Sequence, residues 1–161
     1  MPNTIPNKLR WEIHRQHMPE RDPQIRAHNF EEVNLGFNPA LATQESLRCL
    51  TCAKPTCMYQ CPVAVKVKEF IGLIIEGDYL GAAAKIREDN ALPAITGRVC
   101  PQEEQCEGDC LIVKGKKDSL AIGHLERFVA DYERETGQIG IPKNAPPSGK
   151  SVAIEIGRAH V

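Results

Sequence analysis

Aromatic residues are scarce. Four Phe, three Tyr and one Trp make up 5% of the 161 residues, so few large side chains exist to fill an interior, and something else is expected to help hold it together. A surplus of either charge is missing as well. Lys and Arg number 20 against 21 Asp and Glu, a formal net charge of −1, which argues against nucleic acid or an anionic membrane as the main partner. Long apolar runs are absent: a stretch such as Phe70 to Ile75 is too short to span a bilayer. The N-terminal residues carry Lys8, Arg10 and Glu12 where an export signal would place an apolar segment. A soluble cytoplasmic protein is expected.

Against this background the chain has seven cysteines. An odd number cannot pair off internally, and thiols in the cytoplasm are kept reduced, so ligation of a metal is a better reading than a disulfide framework. They fall in two groups. Cys49, Cys52, Cys57 and Cys61 are spaced C-x2-C-x4-C-x3-C-P; Cys100, Cys106 and Cys110 are spaced C-x5-C-x3-C, with Pro101 directly after the first. A structural zinc site takes four ligands, commonly as two close pairs, and seven thiols divide badly into such sites. Iron–sulfur clusters fit better, because a 4Fe–4S cube takes three thiolates from one tight loop and a fourth from elsewhere. In the bacterial ferredoxin run the last Cys before Pro serves the other cluster. By the same logic Cys49, Cys52 and Cys57 form a three-ligand face and Cys61 is sent to a second cluster. A zinc-stabilised helical interaction module without a redox role is the alternative from a different class.

The rest of the chain reads as helical. Asp22-Pro23 looks like an N-cap and first-turn proline of a helix that takes in Phe30 and Val33 and stops at Gly36. Asn38-Pro39 repeats the device, starting a helix that runs toward Leu50 and delivers Cys49 near its end. Val67, Phe70, Ile71, Ile74 and Ile75 fall at helical offsets. Gly77-Asp78 then opens a second helix toward Asn90, predicting a helical hairpin between the cysteine groups. A last helix begins after Asp118-Ser119, shows Ile122, Leu125, Val129 and Tyr132 as one stripe, and stops at Gly137. No alternating strand pattern precedes residue 150. The organisation expected is an all-α domain over residues 1–136 with an extended arm at 1–21, a Gly/Pro-rich linker at 137–150, and the opening of a strand at 151–155.

Four stretches, RAHNFEEVNLGF, RCLTCAKPTCMYQCPV, ALPAITGRVCPQEEQCEGDC and AIGHLERFVADYE, together covering most of residues 20–133, carry a family resemblance. The chain resembles the N-terminal domain of the NADPH-dependent glutamate synthase small (beta) subunit family, shared with the large subunit of ferredoxin:NADP oxidoreductases and the N-terminal part of dihydropyrimidine dehydrogenase. The resemblance implies an α-helical ferredoxin-like domain with two 4Fe–4S clusters, passing electrons between a downstream FAD/NADPH domain and a catalytic large subunit or a ferredoxin-type partner. By motif position it implies Cys49, Cys52, Cys57 and Cys110 as one ligand set, and Cys61, Cys100, Cys106 and Glu126 as the other. A weaker independent argument also points to Glu126. Seven thiols leave one vacancy, and this residue borders the stripe containing Ile122 and Leu125. Gln102 and Glu103 are the next candidates, and His124 has no ligand-like spacing. No catalytic residue is expected here.

The relatives continue from a G-K-x-V-A-I strand into a G-x-G-x-x-G turn that binds FAD pyrophosphate. This chain continues instead with EIGRAHV. IGRAHV is what ATCGGAAGAGCACACGTC encodes, the start of a common sequencing adapter, so Ile156 to Val161 is expected to be read-through on a truncated gene. On that reading the flavin and NADPH sites lie outside the chain, and the chain alone should be inactive.

Overall fold

The computed structural model describes residues 5–141 and 146–151, and among them every regular element is helical. In chain order these are α1 (Asn7–Glu12), α2 (Pro23–Arg26), α3 (Pro39–Ser46), α4 (Thr56–Tyr59), α5 (Val67–Glu76), α6 (Tyr79–Arg87), α7 (Pro93–Val99), α8 (Leu111–Lys114) and α9 (Ile122–Glu135), with a 3₁₀ turn at Gln102–Glu104. One isolated antiparallel bridge joins Glu20 and Asn34. None of these helices is long and apolar enough to cross a membrane.

The proline-led starts form as read. Asp22 accepts from Gln24 N at 2.8 Å and Asn38 from Leu41 N at 2.9 Å, each supplying a partner that a first turn lacks. α5 ends on Gly77 at φ +82°, a conformation that a Cβ would strain. Asp78 then caps α6 through Gly81 N at 2.8 Å, and the two helices pack as the expected hairpin. α5 buries Val67, Phe70, Ile71 and Ile74, α6 buries Ala82, Ala83 and Ile86, and α9 buries Ile122, Leu125, Phe128 and Val129. Each large aliphatic or aromatic side chain so removed from water contributes roughly 2 kcal/mol before conformational entropy is counted. Alanines on α6 let it approach closely, and Tyr79 sits edge-on to Phe128 and Tyr132 at 5.1 and 5.0 Å between ring centroids.

The start of α9 has no side-chain cap of its own. Two buried glutamates from elsewhere supply it: Glu45 Oε1 accepts from Ala121 N at 2.8 Å, and Glu107 Oε1 accepts from Gly123 N at 3.1 Å. Carboxylates there also complement the helix dipole. Each is balanced, Glu45 by Arg48 at 2.6 Å and Glu107 by Arg15 at 2.8 Å.

α7 crosses α9 at Gly97. A Cβ there would stand 2.7 Å from Arg127 N and 2.9 Å from Arg127 Cα, which are backbone atoms and cannot step aside. Gly97→Ala should therefore push the two helices apart and cost about 3 kcal/mol, as an overpacked core position does. A shift of the urea midpoint checks it, and an unchanged midpoint would show that the crossing has slack.

Several expectations need correction. The helix opened by Pro23 ends at Arg26 and does not continue to Gly36. Asn29 ends it, donating to Ile25 O at 2.9 Å and accepting from Glu31 N at 3.0 Å, so a side chain takes over backbone partners that a longer helix would need. Phe30 is left fully exposed. The arm over residues 1–21 is not merely extended, because it contains α1. Arg10 on that helix is 3% exposed and donates to Leu47 O and Cys49 O. α7 was not expected at all. The last helix starts at Ile122, so Glu126 lies one turn inside it; the Ser119 hydroxyl instead joins Arg15 and Glu107. Apart from Ser151, the expected strand and the adapter-like residues lie outside the described residues.

Candidate metal centre

Four cysteines from three segments of the chain face one cavity. The loop after α3 supplies Cys49 and Cys52, α4 supplies Cys57, and Cys110 immediately precedes α8. Leu50, Val67, Leu120 and Ile122 close the walls around about 410 Å³ of empty space, its mouth included. The chain turns between Cys49 and Cys52 at Thr51, whose φ of +48° is uncommon for a β-branched residue and marks strain held by the surroundings. Thr56 Oγ1 donates to Asp109 O at 2.5 Å and Gln60 Nε2 to Asp109 Oδ2 at 2.8 Å, lacing the two cysteine loops together beside Cys57 and Cys110. On the other side Arg10 Nη1 holds the Cys49 carbonyl at 2.5 Å.

Burial pushes the Cys49 thiol up to about 11 and Cys57 to about 12, and the Cys52 thiol is raised for the same reason. Without metal these thiols are neutral at pH 7. A metal centre seated here displaces their protons and repays the desolvation of thiolates.

Cys61, Cys100, Cys106 and Glu126 form a second neighbourhood. Cys61 follows α4, Cys100 closes α7, Cys106 follows the 3₁₀ turn, and Glu126 comes from α9. Burial pushes Cys106 to about 12, with Glu107, Cys61 and Glu126 adding to it. Cys100 is raised by burial, then by Glu126 and Cys61.

Glu126 is held at one oxygen. Asn90 Nδ2 donates to its Oε1 at 2.9 Å and Thr96 Oγ1 at 2.5 Å, while no hydrogen bond among the described residues falls on Oε2. Burial raises this carboxyl, opposed by the Thr96 and Asn90 bonds. The outcome is a carboxylate steered by two neutral donors with its second oxygen left to bond something else. Gln102 packs instead against Gly123, and Glu103 is exposed. His124 meets Phe37 edge-on at 5.4 Å, and burial lowers its pKa.

Cys49, Cys52, Cys57 and Cys110 thus line one cavity, while Cys61 and Glu126 lie near enough to Cys100 and Cys106 to act on their charge. Asn90 and Thr96 were missed; their only signal was their position around the ALPAITGR stretch. Among the described residues no three His, Cys, Asp or Glu side chains close on a single ion-sized point; Cys49, Cys52, Cys57 and Cys110 stand around a space.

The family model described as dihydropyrimidine dehydrogenase domain II, 4Fe–4S cluster, matches residues 26–138. The chain belongs to this family. It is similar to the NADPH glutamate synthase small chain of Halomonas elongata, 34% identical over 132 residues, 81% of this chain and 28% of that protein. It is 38% identical over 129 residues to the NAD-dependent dihydropyrimidine dehydrogenase subunit PreT of Escherichia coli O157:H7, covering 80% of this chain and 31% of that one. The small chain of glutamate synthase from E. coli K12 is 33% identical over 143 residues, 89% of this chain and 30% of that protein. The chain spans less than a third of the length of the curated relatives it matches. As a family member it is an iron–sulfur electron-transfer domain of the kind found in oxidoreductase subunits.

Proposed function

We propose that this chain holds two 4Fe–4S clusters, one on Cys49, Cys52, Cys57 and Cys110 and one on Cys61, Cys100, Cys106 and Glu126. In this reading it relays electrons between an FAD/NADPH domain and a partner subunit of a cytoplasmic glutamate synthase-type oxidoreductase. The observation that carries it is the cavity ringed by four half-buried thiols from three segments of chain. Clusters bound there supply one-electron storage. The protein's part is to hold them: Arg10 and Thr56 fix the backbone around the first, while Asn90 and Thr96 aim Glu126 at the second. Residues 137–150 serve as the linker to the flavin domain. The same domain also serves a ferredoxin:NADP transhydrogenase, and the gene's neighbours decide between the two.

A visible spectrum of anaerobically prepared protein tests the metal. Broad brown absorption that bleaches on reduction is expected, and a colourless zinc-loaded protein would overturn the reading in favour of an interaction module. Cys57→Ser and Cys100→Ser should damage different clusters; equal loss of both EPR signals in each folded variant would contradict the partition. Glu126→Ala should leave a three-ligand site that sheds one of about eight irons, because a cube corner without a protein ligand is open to solvent. Iron counting with EPR reads this directly. If both signals and the iron content stayed unchanged, the carboxylate would be only a buried hydrogen-bonding group.

A further inference from the structure

Asn90, Thr96 and Glu126 close a hydrogen-bonded triangle. Asn90 Nδ2 donates to Thr96 Oγ1 at 2.7 Å and to Glu126 Oε1 at 2.9 Å, and Thr96 Oγ1 donates to the same Oε1 at 2.5 Å. Asn90 has no freedom in this arrangement. Its amide oxygen accepts from Leu92 N at 3.0 Å, which fixes the orientation of the group, and both of its amide protons are then committed. Thr96 differs, because its hydroxyl carries one proton and has two acceptors in reach: Glu126 Oε1, and the carbonyl of Leu92 at 3.0 Å, one turn back at the start of α7. With Asn90 donating to Oγ1, rotation of the hydroxyl selects between them. An O–H bond to a carboxylate is charge-assisted and roughly twice as strong as one to a neutral carbonyl, so the selection follows the negative charge on Glu126. Thr96 also reaches a second member of this residue set through its backbone, its carbonyl accepting from Cys100 N at 3.0 Å.

We propose that Thr96 sets the reduction potential of the second cluster, its hydroxyl donating to Glu126 when the cluster holds the extra electron and turning toward Leu92 O when that electron leaves. The inference rests on the reading of Glu126 as a ligand and goes beyond it by naming the residue that regulates the site. Thr96 is a positioning residue, acting through Glu126. The balance is one electron gained or lost by the cluster; the proton stays on Oγ1 and changes only its acceptor, and no covalent bond forms or breaks. An added electron raises the negative charge on the ligand oxygens. A donor aimed at them therefore stabilises the reduced form and raises the potential. Asn90, locked by Leu92 N, donates in both states and holds Thr96 Oγ1 in place.

The test is an EPR-monitored redox titration of the full chain, iron-loaded under anaerobic conditions. Thr96→Val, close in shape but without the hydroxyl, should lower the reduction equilibrium constant of the second cluster by about tenfold, which is 59 mV for one electron, and leave the first cluster unchanged. Thr96→Ala adds no bulk and should show the same fall, so a poor fit of the valine does not decide the outcome. Thr96→Ser restores the donor and should return the potential toward the parent value, a rescue that a role confined to helix packing does not predict. Glu126→Ala is measured beside them. If it changes neither EPR signal nor iron content, the ligand reading fails and the inference with it; if it changes them while Thr96→Val and Thr96→Ala keep the parent potential, the inference alone fails. Equal shifts in Thr96→Val and Thr96→Ser, or matching shifts of both clusters, would also overturn it.

Discussion

Stripping iron from the protein with a chelator under anaerobic conditions should abolish its cooperative thermal unfolding. Cys49, Cys57, Cys61, Cys106 and Cys110 all pack against the apolar core, so the proposed clusters sit where other domains place large side chains. Only three of the eight aromatics, Phe37, Phe70 and Phe128, are buried. Ligation also closes long loops, tying the segment after α3 to the residue before α8 and both to the bundle, and loop closure grows costlier with length. Metal binding by structural thiolate sites contributes on the order of 10 kcal/mol, comparable to the whole stability of an ordinary domain. Losing it leaves half-buried thiols around an empty space. Circular dichroism of the apoprotein should show reduced helix and a broad transition. Native helix content with a sharp transition would mean that α5, α6 and α9 stand without the metal.

The largest single-residue effect should come from Glu45→Ala. Glu45 is fully buried and accepts three hydrogen bonds, from Gln16 N at 2.7 Å, Arg48 Nη1 at 2.6 Å and Ala121 N at 2.8 Å. Removing the carboxylate strands the Arg48 guanidinium, 2% exposed, among carbonyl oxygens of Ile13, Asp118 and Ser119. It also takes a cap from α9. Breaking a buried pair from one side costs about 3–5 kcal/mol, because the remaining charge stays out of water without its counterion. A fall in the urea midpoint reads the stability. Since α9 carries Glu126, iron content should fall with it, in the second cluster before the first. Glu45→Gln keeps an acceptor oxygen and should cost less; equal losses in the two variants would show that the shape of the side chain matters more than its charge.

The spacing of the cysteines, the helical hairpin between them and the apolar stripe of α9 were legible from the residues alone. Each is a local property: thiols within a loop are constrained by a few intervening residues, and a helix face repeats every three or four positions. The segment after α2 was misread for an equally local reason. Phe30, Val33 and Gly36 fit a helical period, but Asn29 takes over the backbone partners that a continuing helix needs.

What the order of residues determined by itself was the chemistry on offer, seven thiols in two groups and one carboxylate beside an apolar stripe. Only the tertiary structure decided which of them meet. Cys110 joins the first three cysteines because Asp109 is laced to Thr56 and Gln60, and Glu126 has one oxygen held because α7 crosses α9 closely enough for Thr96 to reach it. These partners lie 30 to 53 residues apart in the chain. No local spacing encodes them, since they are selected by the packing of whole helices, through a glycine too small to obstruct and buried carboxylates that fix where α9 begins.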